Sequence, residues 1–272
     1  MKLKVAILSL SVFAYTGFTA QNIQNNPGSN HGNKFEQLGT ILPTPNIYRT
    51  ASGAPGHGYW QNRADYEINA YLDEDKRNLK GSETITYYNN SPDDLDYIWL
   101  QLDENQQSTV KKADFPFSST LPKAATDQQL KASEVPAIDN GYGVNLEKVT
   151  DASGNPLKYT VNKTMMRIDL PKVLKKGEKL VFKVDWNYNI PNRMKMGGRG
   201  GYENFPEEGN DLYTMTQWYP RMCVYSDFHG WQNHQFTGRG EFALVFGNFK
   251  VSMNVAADHV VGGTGECKNY DQ

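Results

Sequence analysis

The sequence predicts an all-β protein, built of antiparallel curved sheets packed as a β-sandwich with little helix. Three observations carry that reading. Apolar and polar residues alternate in many short runs, the period of a half-buried strand. The 24 Gly and 13 Pro supply turns between those runs. No stretch alternates strand with helix in the βαβ manner, and no internal repeat of fixed length occurs.

The elements follow in chain order. From Asp65 to Asp73, apolar side chains fall at Tyr66, Ile68, Ala70 and Leu72, which predicts a strand with one buried face. Ile85 and Tyr87 continue the pattern in a second strand, and Asn89-Asn90-Ser91-Pro92 reads as a turn. Asp96 to Leu102 carries apolar residues on both faces, Ile98, Leu100 and Leu102 against Tyr97 and Trp99. That predicts a central strand covered on two sides. Residues 103–140 are weakly patterned and read as a long excursion with one short helix near Asp127–Ser133. Strand signals return at Val144–Val149, end in the turn cluster Asp151–Pro156, and resume through Leu157, Tyr159 and Val161 and then Met166, Ile168 and Leu170. After the turn Lys175–Glu178, the longest strict alternation runs from Leu180 through Phe182, Val184, Trp186 and Tyr188 to Ile190. Residues 192–210 are Gly-rich. The last strands are expected near Tyr213–Tyr219, Phe242–Phe246 and Val251–Val255.

Composition narrows the function. The chain has 272 residues, 28 Lys+Arg against 30 Asp+Glu, and a net charge of −2. No basic excess is available to neutralise phosphates, so nucleic acid is not an expected partner. At 12% aromatic residues the chain has the means to bury a core and is not a disordered polymer. Lys2 and Lys4, a short apolar run from Val5 to Phe13, and small residues up to Ala20 have the order of a secretory signal. That run is shorter than the roughly 20 apolar residues of a transmembrane helix, and no later run approaches that length. The expectation is therefore a signal peptide at 1–20, a flexible lead-in at 21–45, and a β-rich domain at 46–272. The mature protein would be exported, periplasmic or extracellular, with no transmembrane segment.

Motifs for chemistry are sparse. H-E-x-x-H, G-x-S-x-G and the phosphate-loop pattern are all absent. His229 and His234 lie five apart near Asp227, too loose a spacing to signal a metal, which needs three or four converging ligands. Gly197–Gly201 lacks the strand and helix that would make it a phosphate cradle, and reads as a surface loop. Cys223 and Cys267 admit one disulfide or two free thiols. The densest unusual stretch runs from Gln217 to Trp231. It suits either a cleft wall with Arg221 or Gln217 as polar anchor, or a packing segment whose Arg221 pairs with a carboxylate.

Three stretches together resemble a known family. Residues 47–105 (IYRTASG…LQLDEN), residues 197–205 (GGRGGYENF) and residues 216–266 (TQWYPRMCVYSDFHGWQ…GTGE) are similar to the start of secreted bacterial zinc aminopeptidases of the aminopeptidase N type. The match spans about residues 40–266. In that family the first domain is a saddle-like β structure, and a thermolysin-like domain behind it carries the zinc and the catalytic groups. The resemblance implies that this chain is the non-catalytic N-terminal domain, a fragment lacking the catalytic domain and inactive by itself. It implies no cofactor in this chain, zinc in the full-length enzyme, and peptides as substrates. The family's first domain lends one Gln or Glu to the substrate's amino group. Gln217 is the first candidate here and Glu203 the second, and no residue is expected to be catalytic or to bind metal. Tyr219-Pro220 matches a Phe-Pro in the wider family, but Arg221 follows where that family has Cys, which points to a secreted subgroup. The competing expectation is a stand-alone secreted β-sandwich that binds peptide or glycan. An independent hydrolase using His229, His234 and Asp227 is the third.

Overall fold

The computed structural model describes residues 45–50, 52–113, 124, 126–127, 137–238 and 243–269. The signal segment, most of the lead-in, the helix expected near Asp127–Ser133 beyond Asp127 itself, and the strand start at Phe242 lie outside the described residues.

In chain order the strands are β1 (Arg63–Asp73), β2 (Asn78–Tyr88), β3 (Leu95–Gln101), β4 (Asn145–Asp151), β5 (Lys158–Asn162), β6 (Met165–Leu174) and β7 (Lys179–Asn189). After them come β8 (Gly201–Phe205), β9 (Asn210–Thr214), β10 (Arg221–Met222), β11 (Tyr225–Ser226), β12 (Gly230–Trp231) and β13 (Phe249–Asn254). A 3-10 turn (Asp103–Gln107) follows β3, and a single helical turn, α1 (Arg193–Met196), follows β7. No described helix is long and apolar enough to cross a membrane.

Two sheets share one core. The larger has the order β13-β1-β2-β7-β4 and the smaller β10-β3-β6-β5. The alternation read from the sequence decides which face turns inward. Tyr66, Ile68, Ala70 and Leu72 of β1 meet Ile85 and Tyr87 of β2 and Phe182, Val184, Trp186 and Tyr188 of β7. Ile98 and Leu100 of β3 with Met166 and Ile168 of β6 close the core from the second sheet. Burying each such side chain contributes about 1.5–3 kcal/mol, so the face of β1, β2 and β7 dominates the stability of the fold.

Glycine has a packing role at two positions. A Cβ at Gly81 would stand 2.2 Å from the Trp186 ring, so its absence makes room for the indole. At Gly247 a Cβ would reach 1.6 Å from the Ala64 carbonyl oxygen, which lets the chain enter alongside β1.

Three details differ from the sequence reading. β13 pairs in parallel with β1, Tyr66 opposite Phe249 and Ile68 opposite Val251, in an otherwise antiparallel sheet. β3 is covered fully on one face only. On the other, Tyr97 is half-buried beneath the Arg167 guanidinium, 4.0 Å from its ring centre. The Gly-rich stretch holds α1 and then the β8–β9 hairpin rather than a continuous loop. Cys223 is buried and Cys267 exposed, and both are free thiols.

Candidate functional site

Between β9 and β12 the chain leaves regular strand geometry, apart from the two-residue pieces β10 and β11. Residues 215–222 lie against the aromatic part of the core. Trp218 packs 6.0 Å from Trp186, Tyr219 packs 5.1 Å from Trp218, and Tyr66 meets Tyr219 at 5.6 Å. Gln217 adopts φ +54°, the left-handed region that a side chain enters at a cost of roughly 1–2 kcal/mol. Its neighbours hold it there.

Two polar contacts fix the far end of the segment. The Tyr66 hydroxyl accepts a 2.9 Å hydrogen bond from the Met222 backbone N–H. Arg221 reaches Asp103 on the 3-10 turn, 2.5 Å between Nη2 and Oδ2, with side chains 10% and 1% exposed. Burial pushes the Asp103 carboxyl up, and the charge of Arg221 opposes that shift. Of the two expected roles for Arg221, pairing with a carboxylate is the one seen. Glu104 follows Asp103 in the same turn. Burial, with the adjacent Asp103 charge, raises its carboxyl to about 8, so it is largely protonated at neutral pH.

The next loop is tied to the N-terminal segment. Arg49 Nε donates to both carboxylate oxygens of Asp227, at 2.9 and 2.8 Å. Its guanidinium lies 5.1 Å from the ring centres of both Tyr59 and Phe228. Beside this clasp a cavity of about 400 Å³ opens, with Trp60, Tyr225, Gln232 and Phe246 among its walls.

The candidate acceptors differ in availability. Glu203 on β8 accepts from Arg193 Nη2 at 2.5 Å, so its charge is already matched. The Gln217 side-chain amide makes no hydrogen bond among the described residues and is half-buried on the segment. The structure does not join Gln217 and Glu203 by a contact. It instead places the start of β8 against the segment, since a Cβ at Gly200 would lie 2.9 Å from Thr216 Oγ1.

Among the described residues the donor sets do not fit a catalytic zinc centre, which needs three ligands, an open position and a nearby base. His229 and His234 approach to 5.2 Å between ring centres, but Asp227 is engaged by Arg49 and supplies no third ligand. Glu74, Asp258 and His259 bring ligand atoms within 4.8 Å of one another on the opposite end of β1. There His259 Nδ1 stands 3.6 Å from Glu74 and 3.5 Å from Asp258, and Asp258 is 88% exposed, a surface grouping of the kind acidic side chains commonly make without a metal.

Sequence reasoning passed over the buried acids. Glu83 occupies an inward position of β2 with 1% exposure, and neither carboxylate oxygen has a hydrogen-bond partner among the described residues. Its place in the period of two with Ile85 and Tyr87 was the available signal. Asp103 and Glu104 had no such signal, because they follow the end of a strand.

No protein-family signature matches the chain, and no curated protein matches it. Solved structures do. A two-domain M1 zinc metallopeptidase variant bound to L-tryptophan shares 13% identity at a TM-score of 0.35, covering 74% of this chain and 34% of that one. A variant from Deinococcus radiodurans bound to a Tyr-Ser-Ala substrate shares 12% at 0.35, covering 71% and 32%. The M1 zinc metallopeptidase of the same organism shares 12% at 0.33, covering 73% and 33%. The chain thus spans about a third of the length of these structures. At such scores no residue role passes from them to this chain.

Proposed function

We propose that this chain is the non-catalytic N-terminal β domain of an exported zinc-dependent aminopeptidase, and that its 215–222 segment walls the substrate cleft. One observation carries the reading. The first of the stretches that resemble that family is distant in the chain from the other two, which the β8–β9 hairpin joins, yet it converges with them on this segment. Asp103 from the first pairs with Arg221 from the third, and Gly200 from the second abuts Thr216. Arg49 and Asp227 tie the first to the third again.

In this reading the zinc and the catalytic groups belong to a catalytic domain outside the sequence, and the present residues bind and orient. A substrate ammonium offers three donors, and the Gln217 amide oxygen offers two lone pairs with no competing partner among the described residues. Glu203, neutralised by Arg193, is the weaker acceptor.

Calorimetric titration of the full 272-residue chain with trialanine and with N-acetyl-trialanine tests the reading. Binding that needs the free amino group and is lost in Gln217→Ala is the expected result. Equal behaviour of the two peptides contradicts it. The cavity beside the Arg49–Asp227 clasp favours a second reading, a secreted peptide- or glycan-binding module. Binding that ignores acetylation, or binding of an oligosaccharide, is the result that reading expects.

A further inference from the structure

Glu83 lies in an apolar frame. Across the sheet it stands between Ile68 of β1 and Val184 of β7, which are 1% and 0% exposed. Along β2, Gly81 lets the Trp186 indole lean over on one side, and Ile85 follows on the other. Above it runs a row of rings: Trp186, Trp218, Tyr219, Tyr66 and Phe249, in successive contacts of 6.0, 5.1, 5.6 and 4.8 Å. Two of those rings, Trp218 and Tyr219, belong to the segment that holds Gln217.

The groups that face this acid are few. β1 presents Tyr66 and the segment presents Tyr219; burial raises both phenols, and a charge on Glu83 would add to that shift. β7 presents only Val184 and Trp186. Arg221 lies beyond the tyrosines, committed to Asp103. Glu104 and Tyr188 face each other further along the core. No cation is placed against Glu83 among the described residues.

An unpaired carboxylate in such a place carries a penalty of several kcal/mol, so the seated state holds the acid neutral. Water reaches it only if the ring row opens. The part of that row without a strand ladder to hold it is Trp218–Tyr219. We propose that Glu83 is a proton-controlled latch beneath the 215–222 segment: the neutral acid lets the segment seat on the sheet, and its ionisation lifts the segment off. The latch acts on the fold and does not depend on what the segment faces.

The sign follows from linkage. Burial raises the Glu83 carboxyl well above its ordinary 4.5. The seat is therefore fully stabilised below that ordinary value and is lost as pH rises through the raised one.

Hydrogen exchange of the full 272-residue chain between pH 5 and pH 10, corrected for intrinsic exchange rates, reads the latch. From above its ordinary 4.5 up to the raised titration of Glu83, protection at 216–222 falls about tenfold per pH unit and then levels off, while β6 keeps its protection. In Glu83→Gln, which cannot ionise, protection at 216–222 stays flat. Glu104 still titrates in that variant, so a falling profile shared by both chains assigns the effect elsewhere and overturns the latch. A flat profile in the unmodified chain also overturns it, without any variant. If Glu83→Gln does not fold, Glu83→Met is read the same way.

Discussion

The centre of the β1–β2–β7 sheet and the 215–222 segment laid across it are held by different physics. The sheet has continuous ladders, eleven paired positions between β1 and β2 and eleven between β2 and β7, and a face of fully buried side chains. The segment has no ladder beyond two residues of β10. It is kept in place by ring contacts, the Tyr66–Met222 hydrogen bond and one buried ion pair. Ladders and apolar area spread the stabilisation over many small terms, so no single polar contact decides it. A seat made of a few polar contacts is lost when one of them fails. That contrast makes the segment the part of this structure that can be released while the sheet stays intact.

The largest expected effect tests the sheet side of the contrast. Trp186→Ala removes a 0%-exposed indole and is expected to cost about 3–5 kcal/mol in urea unfolding. It would loosen both regions, since Trp218 loses its neighbour. Arg221→Met comes next. It strands Asp103, whose side chain is 1% exposed, and is expected to cost up to about 3–5 kcal/mol. The double change Arg221→Met with Asp103→Leu recovers much of that loss, because no buried charge is left unpaired. Failure to recover would mean that the segment is seated by something other than the pair.

A pH series gives a smaller effect of known sign. Glu104 is raised by burial and by Asp103 to about 8. Its contribution is fully present below about 4.5 and is lost as pH rises through about 8. Unfolding free energy at pH 9 is thus expected below that at pH 5, and Glu104→Gln makes the fall across that window shallower, leaving the share that Glu83 contributes. Smallest of all, Gln217→Gly relieves a side chain at φ +54° and changes stability by at most about 1 kcal/mol. If it costs several times that, the Gln217 side chain is itself part of the seat.

The same contrast explains what could be read from the sequence. β7 was legible because Phe182, Val184, Trp186 and Tyr188 alternate without a break, and period is a local property. β1 and β2 were legible for the same reason. The parallel pairing of β13 with β1 was not, because it joins segments about 180 residues apart and β13 carries no period that names its partner. Arg49 with Asp227 and Arg221 with Asp103 are likewise nonlocal. Sequence reasoning could say that Arg221 wants a carboxylate, but not which one. Gln217 stands out in the sequence as a polar anchor in a dense aromatic stretch and again by resemblance, but its left-handed backbone, without glycine to announce it, is visible only in the fold. Composition masked the β8–β9 hairpin, since the glycines at 197–201 outweighed the short strands beside them.

The central claim is that the 215–222 segment presents Gln217 to a peptide's amino terminus. The most direct measurement follows the Gln217 side-chain NH₂ resonances of the isotopically labelled chain during titration with trialanine and with its N-acetyl form. The account predicts that these resonances, with the backbone amides of 215–222, shift with the free peptide and stay still with the acetylated one. Shifts confined to the cavity beside Arg49 and Asp227, or equal shifts with both peptides, would contradict it.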